Sequence, residues 1–189
     1  MQIIDTAISE IKVIEPKVFG DNRGYFMESW NESVFAAAGF DCRWMQDNES
    51  KSGYGVLRGL HYQLEPYAQS KLVRVISGKV LDVVVDIRRG SPTFGKHVSV
   101  ELSGENKRQI YIPRGFAHGF AVLSREAIFA YKCDNKYMPT YERGIAFDDP
   151  DLAIDWQLKP EELILSDKDT RNPRFKDAEI FSWDPEEHR

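Results

Sequence analysis

Lys71-Leu72-Val73-Arg74-Val75-Ile76-Ser77-Gly78-Lys79-Val80-Leu81-Asp82-Val83-Val84-Val85-Asp86-Ile87-Arg88 decides the fold. Two runs rich in β-branched residues meet at Ser77-Gly78, a turn signal, and read as the arms of a hairpin. In the second arm Leu81, Val83, Val85 and Ile87 make one wholly apolar face, while the opposite face mixes Val80 and Val84 with Asp82 and Asp86. A strand with two faces of buried type, one of them carrying carboxylates, fits a barrel whose lumen is polar enough to hold a ligand.

Further β-type runs flank this stretch, with turn residues between them. They cover residues 12–15, 23–28 after Gly20-Asp21-Asn22, the segment opened by Gly53-Tyr54-Gly55 that carries His61, and 96–102, 108–112, 117–123 and 128–133. Helical spacing is convincing only from Asn31 to Ala38, where Asn31 suits an N-cap and Gly39 a stop. From about Asp148 the texture changes to Pro, Asp, Glu and Lys with isolated anchors such as Trp156. The pattern predicts one all-β domain over residues 1–189. A jelly-roll β-barrel occupies about 10–147, and a short helical or irregular C-terminal tail, 148–189, packs on it.

A chain of 189 residues is long enough for one substantial core. With 25 Lys and Arg against 30 Asp and Glu, the net charge is −5, and without a long basic run nonspecific nucleic-acid binding is not expected. Any anion site must therefore come from a few local cations. Cys42 and Cys133 lie far apart and show no metal-binding spacing, which suits reduced thiols. No signal-peptide pattern or membrane-length apolar run is present, so a soluble, cytoplasmic protein with no membrane contact is expected.

Four histidines are available. His61 stands in the richest polar company, in Leu57-Arg58-Gly59-Leu60-His61-Tyr62-Gln63 with Lys71 close behind. That setting suits proton chemistry on an anionic substrate. A metal site needs at least three ligands, and no His-x-His occurs here. His97 and His188 sit in unrelated contexts, and His118 reaches His61 only if their strands are neighbours. Metal-free acid/base work is therefore favoured. Arg23, Arg58, Lys71 and Lys168 form a cationic set able to hold phosphate. Tyr131 and Tyr137 can serve as proton donor, stacking platform or core filler, and nearby cations are expected to lower a tyrosine pKa. Asp82, Asp86, Asp167 and Asp169 are all candidates for holding His61 in one tautomer. Spacing does not choose among them.

Several stretches together resemble the dTDP-4-dehydrorhamnose 3,5-epimerases. They are Arg58-Gly59-Leu60-His61-Tyr62-Gln63, Lys71-Leu72-Val73-Arg74, Asp86-Ile87-Arg88, Ser91-Pro92-Thr93-Phe94-Gly95 and Glu105-Asn106-Lys107-Arg108-Gln109. Ile112-Pro113-Arg114-Gly115-Phe116-Ala117-His118-Gly119-Phe120 and Leu165-Ser166-Asp167-Lys168-Asp169 complete the set. The likeness runs in order from Glu15 to about Asp169.

It implies a cupin-type jelly roll that forms homodimers and uses neither metal nor organic cofactor. It also implies inversion of C3 and C5 of a dTDP-4-dehydro-6-deoxy-D-glucose substrate, within the dTDP-L-rhamnose supply to lipopolysaccharide and cell-wall polysaccharides. By the same resemblance His61 is the base, Asp169 orients it, Tyr131 is the acid on the opposite face, and Lys71 meets the charge developing on O4. Arg23, Glu28, Gln46, Asp47, Asn48, Arg58, His118, Glu142 and Lys168 are implied substrate contacts, with Tyr137 stacking on thymine. Phe19 and Phe26 resemble positions lining the nucleotide site, across the dimer. Phe147 replaces a usual tryptophan and Ser70 a usual glycine. An epimerase acting at C3 or C5 alone and a non-catalytic sugar-nucleotide-binding cupin are the alternatives.

Overall fold

The computed structural model describes residues 1–40 and 42–184. The first elements are β1 (Gln2–Asp5), β2 (Lys12–Glu15), β3 (Val18–Asp21), β4 (Gly24–Met27) and α1 (Glu32–Ala37). Next come β5 (Gln46–Gly53), β6 (Leu57–Gln63), β7 (Lys71–Ser77), β8 (Lys79–Asp86) and β9 (Arg88–Arg89). They are followed by β10 (His97–Ser103), β11 (Gln109–Ile112), β12 (Phe116–Val122), β13 (Glu126–Cys133), β14 (Glu142–Gly144) and β15 (Phe181–Ser182).

Two antiparallel sheets face each other, in the orders β1-β2-β11-β7-β13-β5 and β10-β8-β12-β6-β14. This is the jelly-roll arrangement expected from the strand pattern. The strands flanking Gly78 do not form the expected hairpin. β7 pairs with β11 and β13, whereas β8 pairs with β10 and β12, so the turn carries the chain from one sheet to the other. Gly78 has φ +80°, and a Cβ there would sit 2.0 Å from the Glu126 carbonyl oxygen, so this corner requires glycine. Val73 and Val75 therefore meet Val80 and Val84 across the inter-sheet core rather than beside one another.

Both faces of β8 are buried, for the reason its pattern indicated. Val80 and Val84 join the core between the sheets, with Phe120, Phe129 and Ile110. Leu81, Val83, Val85 and Ile87 form the outer face, which the tail covers with Leu152, Trp156 and Phe175. The tail is a series of 3₁₀ turns at Pro160–Glu162, Asp169–Arg171 and Phe175–Asp177, ending in β15. Beneath the other sheet, α1 buries Phe35 against Ile14, Phe40 and Leu72. Asn31 caps that helix by accepting from the Val34 amide at 3.2 Å, and Gly39 follows with φ +88°.

Gly53-Tyr54-Gly55 does not open the His61 strand. Gly53 ends β5, a strand of mostly polar residues that pairs with β13, and β6 begins at Leu57. Among the described residues no helix is long and apolar enough to cross a membrane.

Candidate active site

A cavity of about 560 Å³ opens between the sheets, lined by Arg58, His61, Lys71, His118, Tyr131 and Asp169 among others. His61 lies on β6, directly opposite His118 of β12. A bulge between His118 and Phe120 shifts that register, and Gly59 (φ +135°) permits it: a Cβ there would meet the Gly119 Cα at 2.5 Å. Nε2–H of His61 donates to Oδ1 of Asp169 at 2.5 Å, which leaves Nδ1 with the lone pair. Asp169 is 3% exposed at the start of a 3₁₀ turn, and Ser166 Oγ accepts its backbone N–H at 3.1 Å. Burial pushes the Asp169 carboxyl up, but hydrogen bonding and charge from His61 outweigh it, so the group is held below the usual carboxylate range.

The facing sheet supplies Tyr131 from β13 and Lys71 from β7, each paired in register with a neighbouring site strand. Tyr131 is opposite Asn48 of β5, and Lys71 is opposite Cys133 of β13. Lys71 Nζ stands 6.0 Å from the centre of the Tyr131 ring. Burial lowers the Lys71 pKa, opposed by Cys133, Asp82 and Glu142. Burial also raises Tyr131, with Cys133 adding to the rise and Arg58 opposing it. The expectation that cations would lower a tyrosine pKa is therefore reversed at Tyr131, because desolvation outweighs the nearby guanidinium. The phenol keeps its proton at neutral pH.

A second cavity, about 340 Å³, shares His61, Lys71, Asn48 and Tyr131 with the first and runs toward Gln46, Gln63, Tyr137 and Glu142. Glu142 Oε2 accepts from Tyr137 Oη at 2.6 Å and lies 2.5 Å from Lys168 Nζ. Burial raises the Glu142 carboxyl, yet these hydrogen bonds and the Lys168 charge bring it below its ordinary value. The hydrogen bond to Glu142, with some burial, pushes Tyr137 up to about 12. Tyr137 is half exposed and lines this cavity. Arg58 is steadied by Ser52 Oγ, which accepts from its Nε and Nη2 at 3.2 and 3.1 Å.

A family model described as dTDP-4-dehydrorhamnose 3,5-epimerase matches residues 5–177. The chain belongs to this family. A Shigella flexneri dTDP-4-dehydrorhamnose 3,5-epimerase is 57% identical over 96% of this chain and 99% of its own. The crystal structure of a dTDP-6-deoxy-D-glucose-3,5-epimerase from Legionella pneumophila, in complex with dTDP-4-keto-L-rhamnose, is 51% identical. It covers 97% of this chain and 98% of its own, with a TM-score of 0.94. A 3′-monoepimerase from Streptomyces bikiniensis, in complex with dTDP-quinovose, is 35% identical over 91% of this chain and 87% of its own, with a TM-score of 0.84.

Within this epimerase-family chain the four candidate carboxylates separate cleanly. Asp169 holds His61, and Asp82 accepts from Nε2–H of His118 at 2.9 Å. Asp86 binds Arg88, Ser91 and Thr93 at the other end of the lumen, and Asp167 is exposed. Gln46 accepts the Tyr137 amide at 3.0 Å, and Asp47 pairs with Lys132 at 2.7 Å on the outer side of the sheet.

Arg23, Phe26 and Glu28 are not brought to the two cavities that His61 lines; Arg23 and Phe26 line a separate hollow on their own hairpin. Arg23 pairs with Asp21 on the β3–β4 hairpin, Phe26 is 69% exposed there, and Glu28 accepts from Asn31 at 3.1 Å. Arg23 and Phe26 sit on the β3–β4 hairpin and Glu28 just after it. His97 lies on β10 away from the site, and His188 lies outside the described residues. Among the described residues no three His, Cys, Asp or Glu side chains converge as metal ligands.

Two supporting residues carried no role in the sequence reading. Gln63 donates to the Tyr67 and Lys136 carbonyls and accepts the Met138 amide at 2.6 Å, fixing the loop that presents Tyr137. Ser52 fixes Arg58. Gln63 falls in the same alternation as His61, which is the signal that marks it as lumen-facing.

Proposed function

We propose that the protein inverts C3 and C5 of dTDP-4-dehydro-6-deoxy-D-glucose, giving dTDP-4-dehydro-L-rhamnose for dTDP-L-rhamnose biosynthesis. The ketone at C4 acidifies the hydrogens on C3 and C5, and removing one as a proton leaves an enolate. Nδ1 of His61, backed by the Asp169 carboxylate, is suited to take that proton. The electron pair moves to O4, where the Lys71 ammonium offsets the charge. Tyr131 O–H then delivers a proton to the opposite face of the carbon. Each inversion leaves imidazolium and tyrosinate, so proton exchange with solvent must restore both before the next.

The carrying observation is that His61, held by Asp169 from the tail, and Tyr131 come from opposite sheets and line the same two cavities. That geometry supports a base on one face of the sugar and an acid on the other. The half-exposed Tyr137, braced by Glu142 and Lys168, supports a stacked thymine, and Arg58 a diphosphate contact. Exposure of Phe19, Tyr25 and Phe26 on the β3–β4 hairpin supports a homodimer in which this arm, with Arg23, reaches the partner's site. Free Cys42 and Cys133 suit a reducing, cytoplasmic setting.

The test is incubation with dTDP-4-dehydro-6-deoxy-D-glucose in deuterated water, followed by NMR. Deuterium at both C3 and C5 is expected. Label at one carbon would establish a monoepimerase, the activity named for the Streptomyces relative, and no label would overturn the assignment.

A further inference from the structure

Asp82 is fully buried on β8, yet its Oδ1 has no hydrogen-bond partner among the described residues. An orphaned acidic oxygen in a core is costly, so it calls for a reason. Its other oxygen holds Nε2–H of His118, and His118 is in register with both Val84 of β8 and His61 of β6. Asp82 is thus one hydrogen bond from His118, which lines the cavity, without lining it itself. On the facing sheet, Lys71 is partly buried in the same cavity and has no carboxylate within ion-pair distance among the described residues.

We propose that Asp82 is a positioning residue that fixes His118 in one tautomer and supplies the counter-charge keeping Lys71 an ammonium inside the barrel. The inference rests on the epimerase reading and goes beyond it. Burial alone drives a lysine toward the neutral amine, which cannot offset an enolate. A carboxylate in direct contact would occupy the ammonium hydrogens. One held back behind His118 leaves them for O4.

The groups facing Lys71 single out Asp82. Tyr131 and Cys133 come from β13, His61 from β6, His118 from β12, Glu142 from β14 and Asp82 from β8. Cys133 is pushed by burial to about 11 and stays a thiol near neutral pH. Tyr131 is raised and keeps its proton. Glu142 is already spent on Lys168 and Tyr137. Burial drives His118 down; the charge and hydrogen bond of Asp82 oppose this, but the Lys71 and His61 charges add to burial and the net shift is downward, which disfavours a cation there. Asp169, in the same cavity, is paired with His61, so among the described residues Asp82 is the acidic group left to balance Lys71.

The decisive experiment is the pH dependence of kcat for Asp82→Asn, which keeps the shape and an acceptor for His118 but removes the charge. The alkaline limb is assigned to Lys71 by its absence in Lys71→Arg. In Asp82→Asn it should move to lower pH by roughly one to three units, with KM little changed. An unmoved limb in a folded variant would overturn the inference while leaving the epimerase reading intact, whereas an inactive wild type would sink that reading. Should Asp82→Asn fail to fold, His118→Phe decides: the released carboxylate then faces Lys71 alone, and the limb should rise. A limb that stays or falls rejects the proposal.

Discussion

Nε2 of His61 and Oδ1 of Asp169 lie 2.5 Å apart although 108 residues separate them in the chain. Asp169 reaches β6 only because the tail crosses the outer face of the five-stranded sheet and returns at a 3₁₀ turn. In the proposed mechanism the pair is the base, its proton-accepting nitrogen fixed by a partner 3% exposed. Asp169→Asn keeps the shape but lets the amide present a donor to the ring, which favours the wrong tautomer. On the order of 10²- to 10⁴-fold loss in kcat is expected, with KM within a few-fold. Steady-state kinetics on dTDP-4-dehydro-6-deoxy-D-glucose checks this, and a loss confined to KM would contradict the base-orienting role.

Tyr131→Phe separates abstraction from reprotonation. The variant retains His61, Asp169 and Lys71, so solvent deuterium should still enter by return of a proton to the face it left. Conversion to the inverted sugar should fall by roughly 10² or more. Following label and stereochemistry together in one NMR time course distinguishes the two steps. Equal loss of both would argue that Tyr131 is not the acid.

Much of this was legible in the chain because local pattern reports burial. The run from Val80 to Ile87, β8 and the residue after it, reads as buried on both faces, and that is what it is. Asn31 and Gly39 bound α1 through side-chain and backbone chemistry that any window of sequence contains. Pairing is different. Whether β7 lies beside β8 or across from it depends on what fills each strand's two edges, and Ser77-Gly78 is compatible with either. β5 escaped notice because Gln46–Gly53 is mostly polar along an edge strand, with no apolar alternation to detect. In the site, spacing alone left four carboxylates open for His61, because contacts over a hundred residues leave no periodic trace. The family resemblance named Asp169, but no feature of the sequence showed that Asp82 serves His118 instead.

Tyr137 and Glu142 offer a test of nucleotide binding apart from chemistry. Tyr137→Leu removes the exposed ring, and stacking worth about 1–3 kcal/mol should be lost, raising the Kd for dTDP by roughly 5- to 150-fold. Glu142→Gln removes the charge bracing Lys168 and should weaken binding less. Calorimetric titration with dTDP gives both values. An unchanged Kd in Tyr137→Leu would mean the base does not stack there.

Asp86 and Arg88 predict acid sensitivity. Burial raises the Asp86 carboxyl, but hydrogen bonds from Arg88, Ser91 and Thr93 outweigh it, so its folded pKa lies below the ordinary value. A depressed folded pKa gives stability that is present above the unfolded value of roughly 3.9 and lost as pH falls through the folded value. Asp86→Asn should therefore flatten the fall in urea-unfolding free energy below about pH 4. Arg88→Met strands a fully buried carboxylate and should cost about 3–5 kcal/mol at pH 7. A cost under 1 kcal/mol would show that the network is dispensable.

The projecting hairpin makes the sharpest prediction about assembly. If Arg23 serves the partner's site while His61 serves its own, then Arg23→Ala and His61→Ala chains are each inactive as homodimers for different reasons. In a mixed dimer one site carries both defects and the other carries neither. Unfolding and refolding the two together at equal amounts should yield half mixed dimers, and thus recover roughly a quarter of wild-type activity. Phe26→Asp, on the same arm, should shift the protein toward monomer in sedimentation measurements and remove activity with it. If Arg23 instead acts within its own chain, every mixed dimer holds one defect per site and mixing restores nothing, so the recovered activity alone decides which chain the arm serves.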